Sequence, residues 1–158
     1  MESREMKIRE CIEKFGVYYQ RSGHQPMMGR LLAYLMVAEP PHKSFEEITE
    51  SLLSSKSAVS NTLNMLIYMG IVDYVKMSGD RRRYFRLHPD AWDRLLQAPV
   101  NEIGQLKSLV GEVMQLRSGK DPEANRKIGQ FYRLLEIFEK QFPVIVEQWK
   151  KEINKNNR

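Results

Sequence analysis

The chain has 158 residues, 42% hydrophobic and 28% charged, an ordinary balance for a globular protein with a core of its own. No apolar run approaches the roughly 20 residues of a membrane-crossing helix, so no membrane partner is expected. The formal net charge is +5, yet "KMSGDRRRYFR" (76–86) sets Lys76, Arg81, Arg82, Arg83 and Arg86 against Asp80 alone, so +4 of the total sits in eleven residues.

From the amino terminus, residues 2–21 place Ile8, Cys11, Ile12, Phe15 and Tyr19 at three- and four-residue steps among charges, which predicts an amphipathic helix. The opening "MESREMKIRE" has no apolar core of a secretion signal, and a cytoplasmic location is expected. Cys11 is the single cysteine, which excludes an internal disulfide and fits a reducing compartment. "SGHQP" (22–26) breaks the helix, and "MMGRLLAYLMVA" (27–38) predicts a second one, apolar nearly all round and central to the core. The two prolines of "EPPHK" end it.

Ser44 and Glu47 form an S-x-x-E capping box ahead of a short third helix, "FEEITESLL". After a tight Leu53–Ser54 turn, Ser55 is the expected N-cap of a fourth helix that stops at Gly70. Its helical projection separates Ala58, Val59, Thr62, Leu63, Met65, Leu66, Ile67 and Met69 from Lys56, Ser57, Ser60, Asn61, Asn64 and Tyr68. "IVDYVKM" (71–77) reads as a strand, "SGD" as a turn and "RRRYFRLH" as the antiparallel return strand.

Pro89 opens a long helical region to about Arg117, and Asp121-Pro122 is an N-cap and N1 pair for the last helix. Ile128, Phe131, Leu135, Phe138, Phe142, Ile145 and Trp149 follow at alternating steps of three and four, a heptad seam for dimerisation. The same spacing also suits a helical hairpin within one chain. Pro143 predicts a kink or break in the seam.

Helix, helix, turn, helix, strand, basic turn, strand is the order of a winged helix-turn-helix, mainly α with a small β-wing. Three parts are expected: an N-terminal packing or dimerisation helix (1–22), the winged domain (23–90) and a C-terminal helical dimerisation region (91–158). In such a fold the fourth helix enters the major groove. That accounts for its polar face. Ser and Asn are indifferent helix formers, but they are short and carry donors and acceptors, and no acidic residue lies between Ser51 and Val72 to repel phosphate. Lys76, Arg81, Arg82 and Arg83 then make a wing for double-stranded DNA.

Three stretches, "GHQPMMGRLLAYLM" (23–36), "SKSAVSNTLNMLIYMGIV" (55–72) and "GDRRRYF" (79–85), resemble the GbsR branch of the MarR transcriptional regulators. The resemblance implies a homodimeric bacterial repressor or activator with dimerising terminal helices. It assigns recognition-helix contacts to Ser55, Lys56, Ser57, Ser60, Asn61 and Asn64, and wing contacts to Arg81 and Arg82, with Asp80 orienting an arginine. It also implies a small-molecule effector, with a quaternary ammonium as one class that Trp92, Phe131, Tyr132, Phe138 and Trp149 could box. Leu53-Ser54 departs from the family's usual Gly and apolar residue, which leaves the turn geometry open. Beyond about residue 90 the likeness is to a general helical pattern.

Enzymatic readings find no support. His24, His42 and His88 are scattered, without metal-ligand spacing, and there is no P-loop, G-x-G-x-x-G or G-x-S-x-G. No cofactor, metal site or catalytic residue is expected. The rival to a sequence-specific regulator is a winged-helix module that binds protein or RNA in a larger assembly without recognising an operator.

Overall fold

The computed structural model describes residues 3–156 and divides into two compact units, one up to Arg94 and one from Leu95. Glu2, the expected first helical residue, and the last two residues of the chain lie outside the described residues. In the first unit α1 (Arg4–Arg21) packs on α2 (Pro26–Val37). The two helices approach closely at glycines. A Cβ on Gly29 would stand 2.4 Å from the Phe15 carbonyl oxygen, and one on Gly16 would stand 2.8 Å from Cγ of Arg30.

A two-residue strand, β1 (Lys43–Ser44), leads into α3 (Phe45–Ser51), and α4 (Lys56–Tyr68) follows the turn. The expected capping box is present: the Glu47 amide donates to Ser44 Oγ at 3.3 Å and the Ser44 amide donates to Glu47 Oε2 at 2.8 Å. β2 (Val72–Lys76) and β3 (Arg83–Leu87) form the wing hairpin, with Tyr74 opposite Phe85 and Lys76 opposite Arg83. β1 adds a third, antiparallel strand beside β3, pairing Ser44 with Tyr84. Sequence reasoning missed it, because two residues carry no period and Ser44 already serves as a helix cap.

The core gathers one side of each element: Ile12, Leu31, Leu32, Leu35, Ile48, Leu52, Val59, Leu63, Leu66, Ile71, Val72 and Phe85 are buried. Burying such a side chain contributes about 1.5–3 kcal/mol. This core decides which face of α4 is left outside.

Helix α4 stops in a hydrogen-bonded end motif. Gly70 takes φ +69°, its amide donates to the Ile67 carbonyl at 2.9 Å, and the Ile71 amide donates to the Leu66 carbonyl at 2.9 Å. The following strand thereby leaves α4 in a set direction.

The second unit contains most of α5 (Ala91–Leu116) and all of α6 (Pro122–Asn156). The Ala124 amide donates to Asp121 Oδ1 at 3.0 Å, the expected cap. The two helices form an antiparallel hairpin in which Lys107 meets Glu139 and a Cβ on Gly111 would come within 3.3 Å of the Tyr132 ring. A break at Pro143 does not occur: α6 runs unbroken for 35 residues. Proline removes one helical N–H and costs about 3 kcal/mol in a helix interior. Here Pro143 is exposed, and apolar side chains continue to pack beyond it at Val146 and Trp149.

Candidate nucleic-acid interface

Ser55 starts α4 with its hydroxyl accepting the Ala58 amide at 3.2 Å, and the Ser57 hydroxyl lies 3.1 Å from it. Past this cap Val59, Thr62, Leu63 and Leu66 point into the core. The other side is left to solvent: Lys56, Ser57, Asn61 and Asn64 are exposed and Ser60 half-buried. Among the described residues, Lys56, Ser60, Asn61 and Asn64 make no side-chain hydrogen bond or ion pair with another side chain. Amide and hydroxyl groups standing unpartnered on a rigid helix are ready to exchange water for base edges. Tyr68, at the edge of this face, is 93% exposed and does not pack on the wing.

The wing tip is organised by Asp80. Its Oδ1 accepts the Arg82 amide at 2.9 Å, its Oδ2 accepts Nη2 of Arg82 at 2.7 Å, and Tyr84 donates its hydroxyl to the same Oδ2 at 2.7 Å. The side-chain bond from Arg82, then its amide, then the Tyr84 hydroxyl hold the Asp80 carboxyl well below the usual aspartate range. The same contacts raise Arg82 and Tyr84, each through its bond to Asp80.

This turn also moves the start of the strand. The expected return strand from Arg81 begins at Arg83 instead, because the Asp80 side chain takes the Arg82 amide out of the ladder.

Two tyrosines hold the arginines. The Arg82 guanidinium lies 5.3 Å from the Tyr84 ring centre, and that of Arg83 lies 4.9 Å from the Tyr74 ring centre. Both separations are within cation–π range. Like charges directly opposite across strands are unfavourable, as Lys76 and Arg83 are here, and the Tyr74 ring offsets that by drawing Arg83 over its face. Arg81 is exposed and has no ion-pair or hydrogen-bond partner among the described residues. Arg86, a member of the basic cluster by sequence, is paired across the strands with Asp73 at 2.8 Å, so the unneutralised charge sits at the tip. Sequence reading missed both tyrosine platforms and this pairing. The signal was there, since Tyr74 and Lys76 share a strand face at period two.

The heptad seam of α6 divides by position. Ile128, Leu135, Phe142 and Trp149, every seventh residue, are the more buried set, with Leu135 at 7% exposure. Phe131, Phe138 and Ile145 are exposed, Ile145 at 60%. The exposed set has Leu134 beside it, and α5 carries a matching exposed stripe of Leu106, Leu109, Val113 and Leu116. Phe138 and Phe142 stack with ring centres 5.8 Å apart. The four α6 aromatics offered for a cation box extend from Phe131 to Trp149, about 27 Å of helix at 1.5 Å per residue, too far apart to surround one small cation.

Among the described residues no group of three or more His, Cys, Asp or Glu could hold a metal ion. No described helix is long and apolar enough to cross a membrane. Cys11 is half-buried on α1 and not in a disulfide.

No family model matches the chain. Individual proteins do. It is 30% identical over 135 residues to the HTH-type transcriptional regulator MmpR5 of Mycobacterium tuberculosis, covering 85% of this chain and 82% of that one. A crystal structure of a transcriptional regulator superposes with a TM-score of 0.71 at 27% identity, covering 92% of this chain and 99% of that chain. A MarR family regulator from Neisseria meningitidis is more distant, at 20% identity and a TM-score of 0.42. With the winged helix-turn-helix fold described and 30% identity to MmpR5 over most of both chains, the chain belongs to the MarR family of transcriptional regulators.

Proposed function

We propose that the protein is a cytoplasmic homodimer that reads a specific duplex sequence, and that it falls in the GbsR branch of its family. The observation that carries this reading is the outer face of α4, where Lys56, Ser57, Asn61 and Asn64 stand exposed and unopposed by any acidic side chain of the helix. In the major groove, Asn61 and Asn64 would pair with base edges, Ser55, Ser57 and Ser60 would allow close approach, and Lys56 would meet phosphate. Lys76, Arg81, Arg82 and Arg83 would hold the adjacent backbone or minor groove, with Asp80 orienting Arg82.

A two-fold site needs two recognition helices about 34 Å apart, which one winged domain cannot supply. The exposed stripes of α5 and α6 support dimerisation there, with Phe131, Phe138 and Ile145 as intermolecular contacts and Ile128, Leu135, Phe142 and Trp149 as the hairpin side of the same seam. A small-molecule effector would act by changing the spacing of the two recognition helices.

Selection of bound DNA from a random-sequence pool tests the main reading. A two-fold consensus with half-sites one duplex turn apart is expected. A bound pool with no enriched sequence would overturn it, as would equal affinity for the selected and a scrambled duplex.

A further inference from the structure

Arg30 lies on α2, outside the helix and hairpin proposed to touch DNA, and its guanidinium joins α2 to α1 and to the turn between α3 and α4. Nε donates to Glu13 Oε1 of α1 at 2.9 Å. Nη2 donates to the Leu52 carbonyl at 2.7 Å, and Nη1 donates to Ser54 Oγ at 3.2 Å. The side chain is only 21% exposed. Gly16 makes room for its stem, since a Cβ there would press on Cγ of Arg30.

The turn that Arg30 grips has one side-chain bond of its own, the Ser54 hydroxyl donating to the Leu52 carbonyl at 2.9 Å, and Arg30 adds the charge-assisted bonds from outside. Leu52 caps the C-terminus of α3, where carbonyls lack helical partners and a cation meets the negative end of the helix dipole. The next residue, Leu53, takes φ +47°, a left-handed conformation that disfavours a side chain with a Cβ. The backbone bonds across the turn are long: the Leu53 amide to the Glu50 carbonyl at 3.2 Å, and the Ser54 amide to the Thr49 carbonyl at 3.3 Å. Arg30 fixes the chain on both sides of the strained residue, and Ser55, immediately beyond, caps α4.

We infer that Arg30 is a positioning residue for DNA reading: it sets the direction in which α4 leaves α3 and, through Glu13, ties that direction to α1. The inference rests on the sequence-specific reading proposed for α4. Base-edge hydrogen bonds require α4 to be placed within a fraction of an ångström, whereas phosphate contacts tolerate more. Arg30 therefore governs discrimination between duplexes more than general affinity.

The test uses the full chain with Arg30→Gln, Arg30→Lys, Glu13→Gln and Ser54→Ala. Amide hydrogen exchange is measured first, without DNA. Arg30→Gln should raise exchange at the hydrogen-bonded Ser54 and Ala58 amides roughly tenfold while the buried α2 amides stay protected, the change expected on removing a charge-assisted bond. Affinities are then measured across a salt series, for a duplex selected by the wild-type protein and for a scrambled duplex. The selected-to-scrambled ratio should fall roughly tenfold in Arg30→Gln and less in Arg30→Lys, with the salt slope unchanged.

Unchanged exchange in the turn overturns the inference, as does an unchanged ratio. A salt slope lower by about one unit also overturns it, since Arg30 would then be a phosphate contact. Should Arg30→Gln not fold, Glu13→Gln takes the charge from one arm and Ser54→Ala removes another, and wild-type behaviour in both would sink the idea. If the wild-type protein selects no sequence, the functional reading fails, and the exchange data still decide whether Arg30 holds the turn.

Discussion

Asp80 and Arg82 close a two-residue clasp at the tip of the wing, in which the carboxylate binds both the amide and the guanidinium of Arg82. Tyr84 completes it from β3. Because the Asp80 pKa is depressed in the folded chain, the clasp is fully present above the ordinary aspartate range and is lost only as pH falls through the lowered folded value. Wing order should thus be flat from about pH 5 to 8. An NMR titration of the Asp80 carboxyl checks this, and a midpoint in the ordinary aspartate range would show that the clasp does not hold in solution. Asp80→Asn should release Arg82 and weaken binding to every duplex.

The wing is expected to supply affinity without preference. Arg81→Ala combined with Arg83→Ala should weaken selected and scrambled duplexes alike. The salt dependence should flatten by about one unit of slope for each phosphate no longer neutralised. Fluorescence anisotropy over a salt series reads both quantities. A double variant with the wild-type slope would remove the wing from the interface.

Preference is expected from α4. Asn61→Ala or Asn64→Ala should cost about 1–3 kcal/mol on the selected duplex and far less on a scrambled one, because an Asn side chain can pair bidentately with adenine N6 and N7. Equal losses on both duplexes would mean that this face only docks the protein.

Leu53 is 82% exposed and left-handed, so its side chain contributes little packing while its Cβ is strained. Leu53→Gly should raise stability by about 1 kcal/mol, read as an increase in melting temperature. A lower melting temperature would show that the leucine packs on something in solution, such as a second copy of the chain.

Dimerisation should depend on the exposed half of the α6 seam. Phe131→Asp with Phe138→Asp should yield a monomer in sedimentation at micromolar concentration while helical content is retained, since neither side chain belongs to the buried set facing α5. A monomeric wild-type protein, with and without DNA, would refute a dimer built on these helices.

Most of the fold was legible in local chemistry. The capping box at Ser44 and Glu47, the Ser55 cap, the Gly70 stop and the Asp121-Pro122 start each depend on residues within a few positions of one another, and the structure has all four. The two arcs of α4 were equally legible, because a 3.6-residue period maps directly onto a buried and a solvent side. What remained hidden joins distant segments. β1 exists only because β3 passes beside it, the wing charge is trimmed because Asp73 meets Arg86 across a register, and Arg30 reaches residues 17 positions before it and 22 and 24 after it. The sequence by itself determined which face of the fourth helix is polar and where that helix begins and ends, since both follow from period and caps. Only the tertiary structure decided how the helix-turn-helix is clamped and which wing arginine is left unpartnered, since hydrogen bonds between distant segments depend on the packing that brings them together.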